Sequence, residues 1–272
     1  MENDNRKNFF KAHDLAHYEE AWAFINAGIK ENDWRAIFYF HIYRQKLLVN
    51  PDESEIISTL QSNPLNMNLL TQAAENQDPE ALYLMSYVYR YGLQGKESIK
   101  KSSAFLKMSS DAGFPLAQIE LGYSWTMNYF DKRHIKKGLE LLMNNVTSSV
   151  DAQYHLAKYL LPYYSPVDQL KGESYLKKAA EQGHAKALSF LGKSYVNGHF
   201  QKDLTTAYSC LEKAMFFGEP MGTVLFALHP FNENTDQRKK FLIKAAKQGY
   251  KPAIYQIVED YIAEYEKSNK EN

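Results

Sequence analysis

Residues 177–198 read KKAAEQGHAKALSFLGKSYVNG. The string recurs. Aligned on Ala187, the chain shows Ala81, Ala117, Ala152, Ala187, Gly222 and Ala253, at steps of 36, 35, 35, 35 and 31 residues. Four positions on stand Met85, Leu121, Leu156, Leu191, Phe226 and Ile257, all large and apolar. Five on stand Ser86, Gly122, Ala157, Gly192, Ala227 and Val258, mostly small, and eight on Tyr89, Trp125, Leu160, Tyr195, Pro230 and Tyr261, mostly aromatic. Offsets of four, five and eight share one face of a helix. The small position admits a neighbouring backbone, and the large ones fill the space around it.

A second helical stretch precedes each of these. It ends in TQAAENQ (71–77), KMSSDAG (107–113), KKAAEQG (177–183), EKAMFFG (212–218) and IKAAKQG (243–249). Leu106, Leu142, Leu176, Leu211 and Leu242 hold its central apolar position. The closing glycine stands where a helix C-terminus turns left-handed, a conformation that costs glycine no Cβ clash. Short polar turns, YGLQGKES (91–98) and NGHFQKD (197–203) among them, join the two helices. Each unit is a helical hairpin that cannot bury its apolar faces alone, so neighbours must stack.

This pattern resembles the Sel1-like repeat family, relatives of the tetratricopeptide repeats, over about residues 71–262. Ala187, Leu191, Gly192, Tyr195 and Gly198, with Lys178, Ala179, Ala180 and Gly183 before them, carry the likeness. The resemblance implies an all-α, right-handed α/α superhelical solenoid, of about twelve helices here, and non-catalytic binding of a protein partner in its concave groove, as in an adaptor or scaffold. Some relatives neutralise toxins, so an immunity protein or inhibitor is the alternative. The expected organisation is an N-terminal helical cap over 1–33, a divergent first repeat over 34–77, the array over 78–262 and a polar tail over 263–272. Within the cap, residues 7–28 read as one amphipathic helix. Within the first repeat, Ala36 and Phe40 open the copy, and Pro64 splits its second half into 53–61 and 65–76. Irregular loops are expected at Pro162 and in HPFNENTD (229–236), where the copy opening at Gly222 is short.

With the first helix of each hairpin packed through its alanine face, positions two, six and nine beyond the alanine point the other way. The resemblance places that row on the concave side. It reads Tyr83, Tyr87, Arg90; Ile119, Tyr123, Thr126; Tyr154, Lys158, Leu161; Ser189, Lys193, Val196; and Tyr255, Glu259, Ile262. Tyrosine and arginine are enriched where partners bind. The candidate partner-binding residues are therefore Tyr83, Tyr87, Arg90, Ile119, Tyr123, Tyr154, Lys158 and Lys193. The competing reading packs these tyrosines between adjacent first helices.

Composition narrows the rest. Lys plus Arg and Asp plus Glu both number 32, which leaves no basic surplus for nucleic acid. No stretch approaches the roughly 18 apolar residues of a membrane span, and the polar N-terminus does not read as a secretory signal. A cytoplasmic place is expected, and the asparagine content hints at a bacterial source. The single Cys210 excludes an internal disulfide and is expected in the core of a second helix. His13 and His17, four apart, lack a third metal ligand. Lysine pairs at 100–101, 136–137, 177–178 and 239–240 read as a solvated outer face. No nucleotide-binding, nucleophile-elbow or zinc-protease motif is present. His155, Lys158 and Glu120 are the nearest approach to a catalytic set, at non-equivalent positions. Neither an enzyme nor a cofactor is expected.

Overall fold

The computed structural model describes residues 4–46, 58, 65–93, 95–127, 131–161, 166–200, 202–229 and 235–270. Among them stand fifteen helices and no strand. Three come first: α1 (Asp4–Asp14), α2 (Tyr18–Lys30) and α3 (Trp34–Gln45). Next are α4 (Met67–Glu75), α5 (Pro79–Arg90), α6 (Ile99–Asp111), α7 (Pro115–Thr126), α8 (Lys132–Asn145) and α9 (Val150–Leu160). The chain continues through α10 (Pro166–Glu181), α11 (Ala185–Asn197), α12 (Leu204–Phe216), α13 (Pro220–Ala227), α14 (Thr235–Lys247) and α15 (Lys251–Lys270). The odd-numbered helices from α5 onward are the first helices of the hairpins, and the even-numbered ones are the second. The closest packing lies within hairpins, α5 on α6, α7 on α8, α9 on α10 and α11 on α12, and the first helices α7 and α9, and α11 and α13, also touch. The molecule is a solenoid of stacked helical hairpins.

The repeat positions explain the packing. Ala81, Ala117, Ala152, Ala187 and Ala253 are fully buried, as are Leu142, Leu176, Leu211 and Leu242. The small position is a true near-contact: a Cβ on Gly138 of α8 would meet the Gly122 carbonyl oxygen of α7 at 2.7 Å. Three residues before three of the repeat alanines, a side chain caps the first helix; Phe114, before Ala117, does not. Asp78 accepts from Ala81 N at 2.8 Å, Ser149 from Ala152 N at 3.1 Å and His184 from Ala187 N at 3.1 Å. Such caps satisfy amides that have no partner inside the helix. At the other end of the turn, Gly183 adopts φ +86° while its amide and that of His184 reach back to Ala180 and Ala179, the paired closure that ends a helix sharply. Gly113, Gly218 and Gly249 do the same, and Gln77 takes that conformation in the first copy.

Several expectations need correction. Fifteen helices replace about twelve. Residues 7–28 form two helices rather than one, because the chain breaks at Leu15–His17 with Ala16 at φ +56°. The polar stretch over 263–270 is not among these corrections: it continues α15 as helix and is exposed through Lys267. The expected 53–61 segment, Pro162 and residues 230–234 lie outside the described residues, apart from Ser58; α13, which precedes the last of these, spans only eight residues. Among the described residues no helix is long and apolar enough to cross a membrane.

Candidate functional site: the inner row of the first helices

The inner row divides into a closed tier and an open one. Tyr83, Tyr87, Ile119 and Tyr154, expected to face a partner, are 2%, 0%, 3% and 7% exposed. Their burial departs from the partner-facing expectation and fits the competing one, in which the tyrosines pack between elements, for these four offer little contact area to a second molecule. The N-terminal helices account for much of the cover. Phe9 of α1 packs on Tyr39 of α3 at 4.5 Å, Phe10 reaches Phe114 at 6.0 Å, and Phe114 lies against Tyr83 at 5.3 Å. Lys46, just after α3, sits 4.4 Å over the Tyr87 ring.

Glu120 of α7 ties this tier together. Its carboxylate accepts from the Tyr87 hydroxyl, from Tyr83 OH at 3.3 Å and from Arg90 Nη1 at 2.8 Å, with Lys46 Nζ at 3.8 Å. Burial alone would raise its pKa, but Lys46 and Arg90, helped by the Tyr87 hydroxyl, hold it below the ordinary carboxylate range. Nothing marked this hub in the sequence except its oddity: a carboxylate one residue before the apolar Leu121.

The α1–α2 junction runs along the row of turns that start the first helices. Arg6 pairs with Glu80 at the start of α5. Asp14 accepts from the Ser149 hydroxyl and from Val150 N at 2.9 Å at the start of α9. Leu15 O accepts from Ala185 N of α11 at 3.0 Å. His17 Nε2 donates to Gly183 O at 2.8 Å while its ring stacks on Phe217 at 3.8 Å. Glu19 ends the path 3.3 Å from Lys244 of α14. The N-terminal segment is thus a strap binding early, middle and late hairpins. Glu80 lies 74 residues from Arg6 and the other partners more than 130 residues away, so no local sequence signal reveals it.

The open tier lies toward the C-terminal ends of the same helices. Arg90 of α5 and Tyr123 of α7 are half-buried, Lys158 of α9 is half-buried, and Lys193 of α11 is exposed. Lys158 Nζ donates to Tyr123 OH at 2.9 Å and lies 5.0 Å over that ring. These four candidates share one accessible strip. Beside Lys193 and Leu161 opens a cleft of about 590 Å³, lined also by Leu170, Phe190 and Phe200.

The remaining candidates resolve simply. His155 and Glu120 are drawn into separate networks, His155 Nε2 lying 3.5 Å from Asp151 and Glu120 serving its hub. His13 lies in α1 and His17 in the break before α2, so the two do not share a helix face. Among the described residues no group of three His, Cys, Asp or Glu is placed to hold a metal ion. Cys210 is partly rather than fully buried, and burial pushes its thiol pKa up. All four lysine pairs lie on second helices, exposed except for half-buried Lys177.

Three segments, 79–114, 150–184 and 185–214, match the Sel1 repeat model. No curated protein matches the sequence significantly. Among solved structures, a Sel1 repeat protein from Oxalobacter formigenes aligns with a TM-score of 0.56 at 17% identity, covering 94% of this chain and 84% of that one. The protective antigen c5321 of uropathogenic Escherichia coli, which displays an SLR fold, aligns at 0.55 and 20% identity over 89% of this chain; the alignment covers 52% of that longer chain. These likenesses show the fold. The immunity protein Pa5087 from Pseudomonas aeruginosa aligns at 0.46 with 17% identity, covering 68% of this chain and 74% of that one, too distant to bear on this protein.

Proposed function

We propose that this protein, a chain carrying Sel1 repeats, is a non-catalytic binding module that holds a protein partner along the open strip of its first helices. The carrying observation is the division of the inner row. Its first tier is spent on the strap and the Glu120 hub, whereas Arg90, Tyr123 and Lys158, half-buried, and Lys193, exposed, line up on successive first helices. A rigid scaffold presenting a tyrosine and long cations is suited to partner contact. Residues placed for acid–base work are instead engaged in internal pairs, which favours binding over catalysis.

Affinity capture from native lysate with mass spectrometry tests this. The wild type, a Tyr123→Glu variant and an outer-face Lys136→Glu variant are compared. Loss of one or more partners in Tyr123→Glu alone supports the reading; retention there with loss in Lys136→Glu moves the interface to the outer face and overturns it. A single partner whose activity is blocked when captured would make the protein a neutraliser, and several partners sharing one segment would make it a scaffold.

A further inference from the structure

The open strip has a charge imbalance that specifies what it binds. Four cations approach it: Lys46, Arg90, Lys158 and Lys193. The carboxylate facing them is Glu120, already shared between Arg90 at 2.8 Å and Lys46 at 3.8 Å. Lys158 is engaged by a neutral hydroxyl, and among the described residues neither it nor Lys193 has a carboxylate within 4 Å. Glu173, on the wall of the adjoining cleft, is paired with Lys177 at 2.6 Å.

Lys158 and Lys193 occupy the same repeat position, six beyond the alanine, on first helices one hairpin apart. Packed helices lie about 8–10 Å apart. An extended polyproline II segment rises about 3.1 Å per residue with three residues per turn, so side chains three residues apart share one face and meet equivalent positions on adjacent hairpins. Beyond Lys193 the apolar cleft at Leu161, Leu170, Phe190 and Phe200 offers room for one large side chain. Leu170 there is 67% exposed, a large apolar side chain left in water.

We infer that the strip receives an extended acidic segment of a protein partner, with carboxylates at every third residue meeting Lys158 and Lys193 and a large apolar residue entering the cleft beside Lys193. This rests on the binding-module reading and adds the partner's chemistry. Both features act together: the carboxylates supply the charge the strip lacks and set the register, and the apolar residue buries surface that water now covers.

The test uses the full chain and a fluorescein-labelled peptide of three Glu-Gly-Ser units ending in Phe, read by fluorescence polarisation. Comparison probes replace Glu by Gln, replace Phe by Ser, or substitute a single-stranded DNA oligomer of equal charge. The expected result is saturable binding of the acidic peptide, weakened about tenfold by the Gln replacement and about tenfold in the Lys158→Glu, Lys193→Glu double variant. The Phe replacement and Leu170→Asp should each weaken it several-fold. Both variant sites are surface-accessible, and unchanged circular dichroism shows that the fold persists. Equal binding of the Gln peptide, no loss in the double variant, or tighter binding of the DNA overturns the inference. If the acidic peptide does not bind while Tyr123→Glu still loses its lysate partner, the acidic specificity falls and the binding module stands. If Tyr123→Glu loses nothing, the strip itself is not the interface and both fall.

Discussion

His13 provides a stringent physical test of the strap. Its ring lies among Phe9, Tyr18 and Tyr43 at centroid distances of 6.0, 6.3 and 6.0 Å. Burial, and secondarily the Lys46 charge, lowers its pKa from 6.5 to about 4. A histidine whose pKa is depressed by folding contributes stability that is complete above its unfolded value and is lost as pH falls toward the folded one. That window runs from 6.5 down to about 4. The whole interval corresponds to about 3 kcal/mol, and the part lost by pH 5 to about 2 kcal/mol. Partial solvent access to the ring trims the latter to about 1–2 kcal/mol. Urea denaturation of the wild type and of His13→Gln at pH 7 and pH 5 isolates this contribution. His41 and His184 also have lowered values, but they titrate in both proteins, and any fixed cost of the substitution cancels between the two pH values. The wild type should lose about 1–2 kcal/mol more than the variant on acidification. Equal losses would show that His13 is solvated, and that α1 does not close over the inner row.

Three further outcomes follow from packing. Gly138→Ala should destabilise by about 1–3 kcal/mol, because its Cβ meets backbone at 2.7 Å and outweighs the roughly 1 kcal/mol gain in helix propensity; a rise in thermal midpoint would refute the close approach. Leu211→Ala removes a fully buried side chain of α12 and should cost about 2–5 kcal/mol by denaturant unfolding. Asp14→Ala withdraws the acceptor of the Ser149 hydroxyl and Val150 amide, for a loss of about 1–3 kcal/mol; hydrogen exchange should then quicken in α1 and at the start of α9, and unchanged exchange would deny the strap its anchor.

What the sequence made legible was whatever repeats. The alanine and leucine registers, the glycine closures and the tight glycine contacts are local demands made once per hairpin, so they recur in the text. The strap is made once. Asp14 and His17 find their partners at residues 149–150 and 183, and neither end carries a periodic mark. That is why the sequence offers 7–28 as one helix and leaves the tyrosines open between partner surface and packing. Helical geometry placed Tyr83, Tyr87 and Tyr154 on the inner side, but it says nothing about what lies over that side. Periodicity assigns a face, and only long-range packing decides whether the face is open. Lys158 and Lys193 lie toward the C-terminal ends of α9 and α11, away from the N-terminal ends the strap follows; Tyr87, at the same repeat position of α5, is instead covered by Lys46.

The central claim is that a partner lies on the open strip, and site-specific photo-crosslinking reads this directly. A benzophenone side chain placed at Lys193, and in a second preparation at outer-face Lys136, is activated in native lysate. Discrete protein adducts are expected from position 193, competed away by the acidic peptide, and none from position 136. Adducts from 136 with none from 193 would contradict that claim and place the partner on the second helices.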